Sequence, residues 1–197
     1  MSEGNGTFLV VEGSSGAGKT TIVESVVSQL RRNGRSVFQT REPSDSALGH
    51  QIRSAEETYH GLTLALLVTA DRNEHVRSAI NPHVADGDVV VCDRYVPSSM
   101  ALQVLDGVPM ETVISLNQDF PVPDLTVLVS CSDADRRDRL MCRRSLTRLE
   151  VEHLSTESDA YNRAFDLLIL ARWQTLLLST STNSPQACAE LVTAAID

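Results

Sequence analysis

The chain has 197 residues, enough for one domain (1–197) with a sizeable core and a modest inserted lid, and 26 acidic against 17 basic side chains give it a net charge of −9. An acidic chain without a Lys/Arg block is poorly suited to gripping polyanions non-specifically, which argues against a helicase, a recombinase or any nucleic-acid partner. No apolar run reaches membrane length, and polar Ser2 to Thr7 lead straight into the first strand rather than through a secretory leader, so a cytoplasmic protein with no membrane partner is expected.

In chain order, the first strand is expected at 7–11, where Phe8-Leu9-Val10-Val11 is a continuous apolar run. It feeds Gly13-Ser14-Ser15-Gly16-Ala17-Gly18-Lys19-Thr20, which is Gly, four residues, then Gly-Lys-Thr, with Thr21 following. Apolar residues from Ile22 to Leu30 then recur at helical spacing, placing a helix near 20–33. The chemistry needs this order. Glycines let successive N–H groups turn inward around phosphate oxygens, and the helix start behind them carries partial positive charge. Lys19 is placed to neutralise the outer phosphates, and the Thr20 hydroxyl to ligate Mg²⁺. An ordinary Gly/Ser turn with a capping threonine lacks a reason for the strand before and the helix after. Gly13 to Thr21 is therefore the candidate ATP site, and the stem of Lys19 is expected to be partly exposed.

A second strand is expected at 35–40, with helices near 47–58 and 61–80. The third, at 88–92, closes on Asp93-Arg94-Tyr95. A carboxylate at a strand end beside a phosphate loop suits Mg²⁺ or its waters, and a guanidinium there suits a second phosphate. Helices near 98–105 and 109–118 precede a strand at 125–130 and a helix at 133–143. Arg136, Arg137, Arg139, Arg143, Arg144 and Arg148 crowd this part of the chain, and one or two are expected to close over phosphates while the rest are solvated. The segment 143–158 is rich in charge and hydroxyls without an apolar period, so it reads as a mobile surface lid. A helix at 158–172, a strand at 174–179 and a helix at 184–195 complete a doubly wound α/β domain on a parallel five-stranded sheet. Cys92, Cys131, Cys142 and Cys188 show no paired spacing and read as reduced thiols, and the five histidines lack ligand spacing.

The phosphate loop, Thr40-Arg41-Glu42-Pro43, Ala70-Asp71-Arg72, Asp93-Arg94-Tyr95, Ser98-Ser99, Gln103, Pro123-Asp124-Leu125 and Arg148-Leu149-Glu150 together resemble the thymidylate kinases, which pass the γ-phosphoryl group of ATP to dTMP. The resemblance spans nearly the whole chain and is weakest in the lid and the helix after it. It implies a P-loop kinase fold, ATP and Mg²⁺, a small nucleotide as acceptor, and a homodimer. It further implies that Arg41, Arg53 and Arg94 surround the acceptor phosphate, with Asp93 near Mg²⁺ and that phosphate. Arg72, Ser99 and Gln103 would face the polar edge of a pyrimidine, and Pro43 would shape the acceptor loop. The phosphate loop holds no arginine, which is similar to the bacterial subgroup whose catalytic arginine comes from the lid. Arg148, then Arg143 or Arg144, would take that role.

Four positions depart from the family. Ser15 stands where an acidic residue touches the sugar 3′-hydroxyl, and Val68 where a phenylalanine stacks on the base. Leu102 stands where a tyrosine crowds the sugar 2′ position, and Thr147 where an aspartate precedes the lid arginine. An uncharged Ser15 offers only a neutral hydrogen bond, Val68 removes a stacking platform and Leu102 leaves room at the 2′ position, so dTMP is expected to be a mediocre acceptor. Three readings stand: a kinase for dTMP or a thymidylate-like pyrimidine nucleotide, a kinase for a sugar- or base-modified nucleotide, and a nucleotide-dependent switch. The switch is disfavoured, because Asn-Lys-x-Asp is missing and a switch has no use for an acceptor site at Asp93-Arg94.

Overall fold

A computed structural model of the chain describes residues 6–143 and 145–196. Among these, β1 (Thr7–Glu12), β2 (Val37–Arg41), β3 (Val89–Asp93), β4 (Leu125–Ser130) and β5 (Thr175–Ser179) form one parallel sheet in the order β2-β3-β1-β4-β5. The expected doubly wound α/β fold is the one observed. Because side chains alternate along a strand, β1 serves two cores. Phe8 and Val10 join the layer of α3 (Gly61–His75), α5 (Val96–Leu105) and α9 (Glu157–Leu170), through Ala65, Met100, Ala101, Ala164 and Phe165. Leu9 and Val11 meet α1 (Lys19–Arg32) and α10 (Pro185–Ile196) through Ile22, Val26, Leu30, Ala189 and Val192. Each such side chain fully buried stabilises the fold by about 1.5–3 kcal/mol before entropy is counted.

This topology fixes where the site lies. The chain goes to one side of β1 for β2 and β3 and to the other for β4 and β5, so the loop after β1 opens at the switch point. The register sets Val11 beside Asp93, and Asp93 beside Arg41, at the carboxyl ends of three strands. Asp124 ties down the other end of β1 by accepting the Phe8 N–H at 2.7 Å.

The remaining helices are α2 (Ala47–Ala55), α4 (Asn81–Ala85), α6 (Met110–Asn117), α7 (Asp133–Met141) and α8 (Arg148–Glu152). The helix expected at 61–80 is α3 followed by one π-helical stretch, Val76–Ile80, which runs on into α4. Pro82 has no N–H for the carbonyl one turn back, and the wider turn just ahead of it accommodates that gap. The largest correction concerns 143–158. A surface segment without order was expected, yet it contains α8, closed by a capping box in which Thr147 and Glu150 satisfy each other's backbone N–H, with Leu149 and Glu150 buried. Five residues are too few to show a helical period, although Thr147-x-x-Glu150 was a readable start signal. Arg144 lies outside the described residues.

Candidate active site

The phosphate loop runs from the end of β1 to the first turn of α1. Gly13 has φ 143°, and a β-carbon there would stand 2.2 Å from the Val129 carbonyl oxygen, so only glycine lets the loop pass this close to β4. The carbonyls of the loop are claimed from outside by two arginines of α7. Arg136 Nε donates to Ser15 O at 2.9 Å, while Arg139 Nη1 reaches Gly16 O at 3.2 Å and Ala17 O at 3.1 Å. The N–H groups opening α1 have no intrahelical acceptor, as at any helix start, and are left for an anion. Lys19 differs from expectation. Its side chain is buried rather than part exposed, with Nζ donating to Gly13 O at 2.7 Å and Ser14 O at 3.0 Å. Burial, with the Arg94 charge beside it, pushes its ammonium down to about 7, against the pull of Asp93, Glu157 and Glu12.

Thr20 and Asp93 meet as the two strand–loop motifs suggested, Thr20 Oγ1 donating to Asp93 Oδ2 at 3.4 Å. Asp93 Oδ1 is buried and has no hydrogen-bond partner among the described residues. A hydroxyl and a carboxylate with a free oxygen, beside a phosphate loop, fit Mg²⁺, which takes few protein ligands and leaves the rest to water and phosphate.

Arg94 holds a positive φ of 76°, costly for a residue with a β-carbon. Its N–H is bonded to Val11 O at 3.0 Å, and its Nη1 donates to Tyr161 Oη at 2.5 Å and Ser98 Oγ at 3.3 Å. Behind it, Glu12 accepts the Tyr95 N–H at 2.6 Å, the Ser98 N–H at 3.2 Å and the Ser98 hydroxyl at 2.7 Å. Burial raises the Glu12 carboxyl to about 7, against the hydrogen bonds and the nearby Arg94 charge. The motif pointed to Arg94; it gave no sign of Glu12 or Tyr161, which come from two other elements.

Next to the loop lies a cleft of about 390 Å³, the size of a small-ligand site. Ser15, Arg41, Pro43, Arg53, Val68, Arg72, Asp93, Arg94, Ser99, Leu102 and Gln103 all line it, so the structure brings the expected acceptor residues together. At one end Arg41 and Arg53 converge on Asp45 Oδ1, at 2.7 and 3.3 Å. Their shared bonding, Arg41's above all, holds the Asp45 carboxyl below its ordinary value. Ile52, Leu64, Val68, Leu102 and Leu149 give the cleft an apolar wall. Gln103 Oε1 is buried there without a partner among the described residues. The loop after Pro43 is pinned by Asp71, whose two oxygens accept the Ser44 N–H and hydroxyl, each at 2.6 Å.

Of two further expected residues, one lines the cleft and the other does not. Arg72 lines the cleft, but much of its guanidinium is spent on the fold: Nε donates to Glu42 at 2.7 Å, Nη2 to Tyr95 O at 3.0 Å, and Nη1 to Asn117. Arg148 does not line the cleft. Its Nη1 donates to Asp106 and Glu152, each at 2.8 Å, and its Nε to Glu56 O at 3.2 Å, so a carboxylate-lined socket holds it where the phosphate loop was expected to. A lone cation finds the nearest buried anions first, and a sequence pattern cannot display Asp106, forty-two residues away. Arg143 is bonded to Glu150 at 2.7 Å. Arg136, Arg139 and Glu157 were not foreseen as contacts of the loop, since nothing local marks which arginine of a basic helix faces inward.

Replacing Arg148 with alanine takes from the buried Asp106 carboxylate its guanidinium partner and leaves it the Gly61 N–H, with the His60 ring 3.9 Å away. The expected result is a loss of stability on the order of 2 kcal/mol, read by urea denaturation. A silent substitution would show that this socket contributes nothing to holding α8 in place.

A protein-family model described as thymidylate kinase matches residues 11–189. The chain is 39% identical over 165 residues to a thymidylate kinase of Caldicellulosiruptor saccharolyticus, covering 80% of each chain. It is 37% identical over 153 residues to a probable thymidylate kinase of Pyrococcus horikoshii, covering 74% of this chain and 75% of that one. With a thymidylate kinase of Exiguobacterium sibiricum it shares 36% over 154 residues, covering 74% and 73%.

Proposed function

This chain belongs to the thymidylate kinase family, and we infer that it is an ATP-dependent nucleoside monophosphate kinase transferring the γ-phosphoryl group of ATP to dTMP. The observation that carries the reading is the meeting of two sites. A phosphate loop and a cleft lined by four arginines share one border at Ser15, Asp93 and Arg94, so a donor on the loop and an acceptor in the cleft would bring their phosphates face to face. Relatives named thymidylate kinase favour dTMP over the altered nucleotide suggested by Ser15, Val68 and Leu102.

In this reading the chain works by positioning and charge neutralisation, without a covalent intermediate. Lys19 leaves the Gly13 and Ser14 carbonyls for the donor's outer phosphates. Arg41 and Arg53 hold the acceptor phosphate from outside and Arg94 from beneath, its orientation fixed by Tyr161 and Ser98. The unpaired Gln103 Oε1 accepts a base N–H, with Ser99 and the remaining Arg72 N–H groups facing base oxygens. Ile52, Val68 and Leu102 sandwich the ring by apolar contact in place of an aromatic stack. Thr20 and Asp93 are the groups that would hold Mg²⁺, which when bound spreads the charge of the donor phosphates. The same reading makes the chain a single kinase domain, homodimeric by family resemblance and cytoplasmic, the last supported by its four free cysteines.

ADP release measured with ATP and a panel of dTMP, dUMP, dCMP and UMP tests the reading. The expected result is turnover with dTMP as the best of the four. Absence of ADP formation with every pyrimidine monophosphate would overturn it.

A further inference from the structure

Glu157, at the start of α9, is 1% exposed and sits against the phosphate loop. Its Oε1 accepts both the Ser15 N–H, at 2.9 Å, and the Ser15 hydroxyl, at 3.1 Å, while Oε2 pairs with Arg136. Both Ser15 and Glu157 line the acceptor cleft. A hydroxyl has one proton to give, and here Glu157 Oε1 takes it. What Ser15 then has left for the cleft is lone pairs.

We propose that Glu157 is a specificity-determining residue, which by drawing the Ser15 proton fixes Ser15 Oγ as a hydrogen-bond acceptor toward the sugar of the bound nucleotide. The proposal rests on the reading of the cleft as the dTMP site. With its 5′ position esterified, dTMP has one free sugar hydroxyl, at 3′, and that hydroxyl must donate. The hydrogen bond it makes is backed by a buried charge: sugar O–H to Ser15 O–H to the Glu157 carboxylate. A serine lent a carboxylate in this way makes a charge-assisted contact, not the neutral one its sequence suggests, which removes one of the three reasons to expect dTMP to be a mediocre acceptor.

The direction of the bond is what a set of analogues reads. The 3′-hydroxyl and 3′-amino nucleotides can donate, the 3′-fluoro nucleotide can only accept, and the 3′-deoxy nucleotide does neither. Expected for the wild type is kcat/KM for the two donors about 10–100-fold above that for the 3′-fluoro and 3′-deoxy forms, with those two alike. Ser15→Ala should bring all four within a few-fold of one another. Glu157→Gln should narrow the gap and raise the 3′-fluoro form above the 3′-deoxy form, because the amide can donate to Ser15 Oγ and free its proton for the cleft. Should Glu157→Gln fold poorly with Arg136 left unpaired, the double variant with Arg136→Gln removes both buried charges and carries the same expectation. A wild type that takes the 3′-fluoro form as well as dTMP overturns the proposal. So does an undiminished preference in the glutamine variants, or a Ser15→Ala variant that slows all four nucleotides equally, as a merely structural role would. A wild type that forms no ADP with dTMP overturns instead the reading of the cleft.

Discussion

Lys19→Ala lowers kcat by at least about 10²-fold, because the transition state loses a cation set beside the migrating charge. The stability of the ligand-free variant is the more discriminating result. In the wild type Lys19 Nζ is buried against the Gly13 and Ser14 carbonyls, and burial has pushed its ammonium from 10.5 down to about 7. Between those two values the unfolded chain holds a proton that the native chain has released, so stability rises with pH across that window. Below about pH 7 both states are protonated and the full cost of burying the charge remains. The alanine variant lacks this group. Its stability relative to wild type should therefore be greatest near pH 6 and decline toward pH 10, with no loss of folding at neutral pH. Urea denaturation at several pH values, beside steady-state kinetics, measures both effects. Near-wild-type turnover would sink the placement of the donor phosphates on this loop. A variant markedly less stable at pH 6 would mean that the two carbonyl hydrogen bonds outweigh the burial of the charge.

Arg94→Ala should be still more damaging to the acceptor side, lowering kcat/KM for dTMP by about 10³-fold. Its guanidinium is aimed by Tyr161 and Ser98, and a positive φ of 76° is maintained to hold it there. Strain of this kind, about 1–2 kcal/mol for an L residue, persists only where surrounding contacts over-determine it. The Tyr161–Ser98 contact at 2.8 Å and the Ser98–Glu12 bond survive the substitution, so the fold should persist. ATP binding without acceptor should change by only a few-fold, since the donor loop keeps Lys19 and its N–H groups. Arg94→Lys restores the charge but not the planar fork, and is expected to recover a small part of the loss. An alanine variant that weakens ATP and dTMP equally would place Arg94 in the donor site instead.

Local pattern decided much of this protein. Alternating apolar strands and helical periods required a parallel sheet with helices on both faces, because strands as apolar as Val89-Val90-Val91 can be buried only between two layers. Gly13 to Thr20 carried its own chemistry, because a loop that wraps phosphates with N–H groups works within a dozen consecutive residues. Asp93-Arg94 was legible for the same reason: a strand end next to that loop has few other uses. What escaped were the charged contacts between distant segments that no motif marks. The socket of Arg148 is assembled from Glu56, Asp106 and Glu152, the clamp on the loop from Arg136 and Arg139, and the carboxylate behind Ser15 from Glu157, 142 residues away. Charged side chains are long and choose partners by proximity and desolvation, neither of which exists until the chain has folded. Sequence alone therefore marked the loop proposed to cradle phosphate, while the tertiary structure decided which arginines and which carboxylate pack against it.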